Sequence, residues 1–173
     1  MLWIRFDEQD RRSSAPPFCL SSNLGERVCL RDLYEKNNLV IVFLHAVDCQ
    51  VCHSTVKAFA KRELEYRGQE SQVLIIIPNG IQQRGTSSEN DRLLAELDEE
   101  IGVRLLFDPD GMTRQAYTEL MSAELVDEED NILFILDAYG APYTAGIAKH
   151  FNNGDIHNEV LSWLQYINIQ CPE

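Results

Sequence analysis

Long apolar runs, positive charge and paired cysteine motifs are all scarce in this 173-residue chain. The longest unbroken apolar stretches are residues 39–44 and 73–78. Neither approaches the ~20 residues that a membrane-spanning helix needs. Residues 1–7 show no basic start followed by an apolar stretch, so no secretory signal is expected and a cytoplasmic location is predicted. Lys and Arg number 15 against 28 Asp and Glu, a net charge of −13. That balance argues against nucleic acid and anionic membrane surfaces as partners. Five cysteines are an odd number, spaced unlike a disulfide framework or a paired zinc motif. No metal or cofactor is therefore expected, and Cys19, Cys29 and Cys171 read as small apolar or incidental residues.

What is present suffices for one α/β domain over residues 1–173. Hydrophobic residues make up 45% and charged residues 25% of the chain, an ordinary globular balance. Residues 39–44, Leu-Val-Ile-Val-Phe-Leu, suit a strand buried on both faces. After Ser54, the residues Val56, Phe59, Ala60 and Leu64 recur at helical spacing. Cys49-Gln50-Val51-Cys52 thus falls between a buried strand and a helix start. Unpaired backbone N–H groups and the positive end of the helix dipole favour an anion there, a thiolate included.

The remaining pattern alternates strands and helices. Residues 15–18, Ala-Pro-Pro-Phe, form a rigid lead-in to a loose hairpin around Ser21–Gly25. The first fifteen residues carry no clear assignment. A helical turn is predicted at 30–34, and the helix after Cys52 is expected to run to Tyr66 or Arg67, with Gly68 past its end. Strands are predicted at 73–77, 104–107 and 131–137, with a weaker one near 143–147. Helices are predicted at 88–100 and 112–120, and a closing helix carries Ile156, Val160, Leu161 and Leu164. His150 and His157 read as surface residues. The order implies a central mixed sheet with helices on both faces.

Three stretches carry a family resemblance. Residues 15–20 and 25–33 resemble an Ala-Pro-x-Phe lead-in, hairpin and Leu-x-Asp-Leu turn. Residues 106–111 with Ala116-Tyr117 resemble an Asp-Pro-Asp-Gly…Ala-Tyr segment, and residues 134–140 a Phe-Leu-Ile-Asp-x-x-Gly strand and turn. With the core strand and cysteine loop between them, the order is similar to that of the thioredoxin fold. It is closest to the redoxin branch of alkyl hydroperoxide reductase and thiol-specific antioxidant proteins, over about residues 15–165. The peroxiredoxin loop pattern Pro-x-x-x-Thr-x-x-Cys is changed, with Val42 at the proline and Ala46 at the threonine. Asn131 falls where some peroxiredoxins carry a peroxide-positioning arginine and thioredoxin-like reductases a cis-proline.

The resemblance implies thiol–disulfide exchange, with Cys49 as nucleophile and Cys52 resolving the mixed disulfide. An i,i+3 pair on a helix lies on one face, close enough to bridge. The alternative is a thiol peroxidase with Cys49 as the peroxidatic cysteine. A third class is a redox-sensing or catalytically silent module. His45, Asp48, His53 and Asn131 are candidate supporting residues, the histidines supplying positive charge when protonated. Cys49–His53 also spells the Cys-x-x-Cys-His haem-attachment motif, but without a visible export signal that reading is set aside. A structural zinc needs four ligands, and no second close Cys/His pair exists in the sequence. The implied partners are a disulfide or peroxide substrate and a thiol reductant, with a homodimer as a candidate assembly.

Overall fold

A computed structural model describes residues 1–46, 49–78, 103–121 and 123–170. The strands are β1 (Leu2–Arg5), β2 (Cys19–Ser22), β3 (Arg27–Cys29), β4 (Asn38–Phe43), β5 (Ser71–Pro78), β6 (Arg104–Asp108), β7 (Asn131–Leu136) and β8 (Pro142–Ala148). The helices are α1 (Gln50–Lys61), α2 (Glu63–Arg67), α3 (Met112–Leu120) and α4 (Gly154–Gln170), with short 3-10 turns at Asp10–Arg12, Leu30–Leu33 and Ala123–Leu125. One eight-stranded sheet runs β1-β8-β7-β4-β5-β6-β2-β3. Strands β4, β5 and β6 are mutually parallel, and the other pairings are antiparallel. The predicted helix at 88–100 lies outside the described residues.

The alternation of β4 builds two cores. Val40 and Val42 face one side with Cys52, Val56, Phe59, Tyr66, Val160 and Leu164. Leu39, Ile41 and Phe43 face the other with Phe18, Leu30, Leu33, Tyr117 and Met121. Successive strand side chains point to opposite faces, so an uninterrupted apolar run can exist only where both faces are covered. Each such side chain, once buried, contributes about 1.5–3 kcal/mol of transfer free energy. Helices α1, α2 and α4 cover the first face; α3 and the Leu30–Leu33 turn cover the second. The weaker strand expected near 143–147 is in fact buried along most of its length, because β1 closes over its outer edge. That first strand and the turn at Asp10–Arg12 escape the sequence pattern, since Leu2–Arg5 is only half-buried and shows no clean alternation.

Two other expectations are corrected. The helix after Cys52 does not run unbroken: at Arg62 the backbone leaves helical values (φ −109°, ψ 13°), and α2 starts in a new phase. Leu64 therefore points outward and is 76% exposed, while Tyr66 takes the inward position. Arg62 holds the break, pairing with Glu65 at 2.6 Å and donating to Gly154 O at 3.2 Å and Asn158 Oδ1 at 2.8 Å. The helical segment does end at Arg67 with Gly68 past its end, as expected; Gly68 keeps right-handed geometry (φ −64°), and the positive φ falls on Glu70. His157 is buried, with its ring against Phe59 at 4.5 Å and Nδ1 hydrogen-bonded to the Tyr66 hydroxyl. It occupies the inward row of α4 with Val160, Leu164 and Ile167, a row the apolar pattern alone does not reveal.

The hairpin is present, and it also overturns the reading of its cysteines. Ser22 N–H donates to Glu26 O at 2.7 Å, and Gly25 turns with φ +80°. The register set by this turn makes Cys19 and Cys29 direct cross-strand partners, joined as a disulfide with Cα atoms 4.0 Å apart. Cys171 lies outside the described residues.

Candidate active site at the strand–helix junction

Strand β4 ends at Phe43, and Cys49 caps the N-terminus of α1 in an extended conformation (φ −95°, ψ 118°). Cys52, one turn in, is fully buried against the first core, whereas Cys49 is only half-buried. The asymmetry follows from the helix face: Cys52, Thr55, Val56 and Phe59 form the inward row of α1. Thr55 strengthens the seat, its Oγ1 accepting a hydrogen bond from Phe151 N–H at 3.2 Å.

The antiparallel register between β4 and β7 pairs Phe43 with Ile132, which brings Asn131 level with the end of β4. Asn131 is completely buried. Its amide donates to Lys149 O at 2.7 Å, which fixes the opposite oxygen towards the thiols. That oxygen accepts from the His45 backbone N–H at 2.9 Å and lies 3.2 Å from His45 Nδ1. The Cys52 thiol is 3.6 Å from the same oxygen and 3.3 Å from His45 Nδ1. Cys49, Cys52 and His45 keep their donor atoms within 4.8 Å of one another.

Burial pushes the Cys52 thiol up to about 11, against the pull of a hydrogen bond from the Ala46 backbone. The adjoining Cys49 thiol adds to the rise and the His45 backbone opposes it. Desolvation penalises the charged form, so Cys52 is held as a neutral thiol at ordinary pH. Of the two sulfurs, that of Cys49 belongs to the more exposed residue, and it lies at the end of the helix where unpaired N–H groups point.

Of the expected supporting residues, the fold brings His45 and Asn131 to Cys52. His53 follows one residue later on α1, its backbone N–H bonded to Cys49 O at 3.0 Å. Asp48 lies outside the described residues. Val42 is buried in β4 and Ala46 is half-buried just beyond it, so both peroxide-loop positions hold apolar side chains.

One residue escapes the sequence reading. Arg114, in the first turn of α3, donates to Asp130 O at 2.6 Å through Nη2. Its Nη1 is buried with no hydrogen-bond partner among the described residues. Burial pushes the guanidinium below its ordinary value, while Asp130, the Cys52 sulfur and Asp108 favour its charge. Asp108 fixes this turn, its carboxylate accepting from Thr113 N–H at 3.3 Å and Arg114 N–H at 2.9 Å. A signal for it existed: Arg114, Tyr117 and Met121 stand at i, i+3 and i+7, so a cation occupies a row that otherwise faces the core.

The model of the AhpC/TSA family matches residues 12–141. No curated protein matches the sequence significantly. Among solved structures, a yeast mitochondrial 1-Cys peroxiredoxin aligns with 14% identity over 91% of this chain and 76% of its own, with a TM-score of 0.70. A putative thiol:disulfide interchange protein DsbE from Chlorobium tepidum aligns with 19% identity over 90% of this chain and 96% of its own, with a TM-score of 0.64. The peroxidoxin BcpB from Mycobacterium tuberculosis gives 13%, 90%, 96% and 0.67 for the same quantities. At these identities the likeness is one of fold, and it is the thioredoxin-like fold. The family match covers most of the sequence, and the chain belongs to the AhpC/TSA family as a thiol-based redox protein of the redoxin type.

Proposed function

We propose that this protein is a dithiol oxidoreductase that exchanges disulfides through Cys49 and Cys52. The observation that carries the reading is the inequality of the two sulfurs: Cys49 is half-buried at the helix N-terminus, Cys52 fully buried beside His45. The Cys49 thiolate attacks one sulfur of a substrate disulfide, forming a mixed disulfide and expelling the first substrate thiolate. Cys52 then loses its proton to His45 Nδ1, 3.3 Å away, and attacks the Cys49 sulfur. The second substrate thiolate leaves, and the Cys49–Cys52 disulfide remains for a thiol reductant to reopen. Asn131 Oδ1, 3.2 Å from Nδ1, accepts from the N–H so formed and steadies the imidazolium. His45 and Asn131 are thus positioning and proton-carrying residues for Cys52.

Family membership favours one other reading, a thiol peroxidase. Cys49 would attack a peroxide, becoming a sulfenic acid as the alcohol or water leaves, and Cys52 would condense with it, releasing water. Ala46 in place of the threonine and Asn131 in place of the arginine count against it: Ala46 has no side-chain donor, and the Asn131 amide is spent on Lys149 O.

Rapid mixing of the reduced protein with a protein disulfide and, separately, with stoichiometric hydrogen peroxide discriminates the two, with intact mass locating the product. Exchange is expected to be the faster reaction, and Cys52→Ser is expected to accumulate a mixed disulfide on Cys49. Peroxide consumption faster than exchange would replace this reading by the peroxidase.

A further inference from the structure

We propose that the reduced dithiol and His45 form a binding site for one zinc ion, with Cys49 Sγ, Cys52 Sγ and His45 Nδ1 as its protein ligands. The sequence offers only the Cys-x-x-Cys pair; the fold adds a third donor from the end of β4. All three donor atoms lie within 4.8 Å of one another, and His45 Nδ1 is 3.3 Å from Cys52 Sγ. In a tetrahedral site with Zn–S of ~2.3 Å and Zn–N of ~2.0–2.1 Å, a sulfur and a nitrogen stand about 3.6 Å apart and two sulfurs about 3.8 Å. The side chains therefore need to move by only a few tenths of an ångström to take up the ion at the His45–Cys52 edge.

Charge and burial agree with this assignment. Two thiolates and a neutral imidazole cancel the charge of a divalent ion, leaving a neutral complex where Cys52 is fully buried and the other donors half-buried. The ion supplies what the buried Cys52 thiol lacks, a positive charge at bonding distance that favours its thiolate. The donors also come from fixed backbone. The cysteines sit at the N-cap and first turn of α1, and His45 is tied by its N–H to Asn131, itself anchored on Lys149 O. Binding requires the His45 proton on Nε2, and Asn131 Oδ1 then keeps the backbone bond alone. Three protein ligands leave the fourth position to water or another small donor, an arrangement otherwise used by catalytic zinc.

A consequence follows that rests on the exchange reading. The oxidised pair has no thiolates, so zinc and disulfide are mutually exclusive. A substrate disulfide R–S–S–R acting on the zinc form yields the Cys49–Cys52 disulfide, free Zn²⁺ and two RS⁻, balanced in charge and electrons. The same centre would thus hold zinc when reduced and release it on oxidation.

The test is an anaerobic titration of the reduced, metal-free 173-residue chain with zinc against a chromogenic chelator, with cobalt(II) as a spectroscopic probe. One zinc per chain is expected, and the cobalt form should show thiolate charge-transfer and tetrahedral ligand-field bands. Cys49→Ser and Cys52→Ser should each lose uptake, and His45→Ala should weaken it by at least about 100-fold, beyond the usual effect of an outer-shell change. His45→Cys restores a donor at the same position and should restore uptake, which separates loss of a ligand from loss of fold. Lack of stoichiometric uptake at micromolar zinc, or equal uptake by wild type and His45→Ala, overturns the proposal. Zinc uptake without disulfide exchange would remove the exchange reading and leave the site standing; exchange without uptake would do the reverse.

Discussion

The described residues include two cysteine pairs, and the fold treats them in opposite ways. Cys19 and Cys29 face each other across β2 and β3, at the outermost edge of the sheet, and are bonded. Strand register sets them directly opposite each other, with Cα atoms 4.0 Å apart. Cys49 and Cys52 are one helical turn apart at the start of α1, beyond the end of the inner strand β4, and are free thiols. Here the surroundings differ between the two members: one sulfur is partly open to solvent, the other enclosed with an imidazole and an amide oxygen. A disulfide that staples needs only proximity. A dithiol that turns over also needs unequal access and a carrier for the proton of its buried member.

The comparison breaks most severely if the wrong pair carries the chemistry. Cys49→Ser is expected to reduce exchange by at least about 10³-fold, since the nucleophile itself is removed. Equal loss on removing Cys19 would transfer the function to the hairpin. The next largest effect concerns the thiols separately. Burial pushes the Cys52 thiol up even without its neighbour, so Cys52 in the Cys49→Ser variant should alkylate at least about tenfold more slowly at pH 7.5 than Cys49 in the Cys52→Ser variant. Its rate should still climb about tenfold per pH unit above pH 8.5, because only the thiolate reacts. A plateau near pH 8 would show that Cys52 is not desolvated as the structure has it.

His45→Ala should slow the resolving step by about 10- to 100-fold, the usual range for a positioned proton carrier. The mixed disulfide would accumulate transiently while the first attack by Cys49 stays near wild-type speed. A purely structural role would slow both steps together. Arg114→Met should have a smaller effect, a few-fold on exchange. It removes the bond to Asp130 O that sets the start of β7, and a nearby charge that favours the Cys52 thiolate. Arg114→Lys, which keeps the charge but not the planar fork, should fall between the two.

The sheet and the dithiol were legible because their signals are local. Residues 39–44 announce a doubly buried strand, and Cys49-x-x-Cys52 announces its place by what flanks it. Asn131 was legible only as a departure from the family's pattern; its place beside the thiols depends on the β4–β7 register, which no stretch of sequence states. Leu64 misled because helical spacing assumes an unbroken helix, and the break at Arg62 is held by contacts from α4, some ninety residues away. His157 misled because a polar residue on a helix reads as solvent-facing until its partner, the Tyr66 hydroxyl, is known. The hairpin disulfide could have been seen. Cys19 and Cys29 are equidistant from Leu24 at the centre of the turn, and an antiparallel hairpin joins residues equidistant from its centre.

The smallest effect on exchange should come from breaking that staple. The Cys19→Ser/Cys29→Ser double variant is expected to keep exchange within about two-fold of wild type, since β2 and β3 lie beyond β5 and β6 from the dithiol. Stability is where it should register. Closing a loop of this length restricts the unfolded chain by about 2–3 kcal/mol. Part of that will not be recovered, because an edge hairpin opens locally before the sheet does. Denaturant unfolding should therefore show a loss of about 2 kcal/mol or less with a slightly raised m-value, since the uncrosslinked denatured chain is less compact, and protection in hydrogen exchange should fall first in β2 and β3. A loss of exchange activity at full stability would mean that the hairpin pair communicates with the dithiol. The division between a structural and a reactive cysteine pair would then have to be given up.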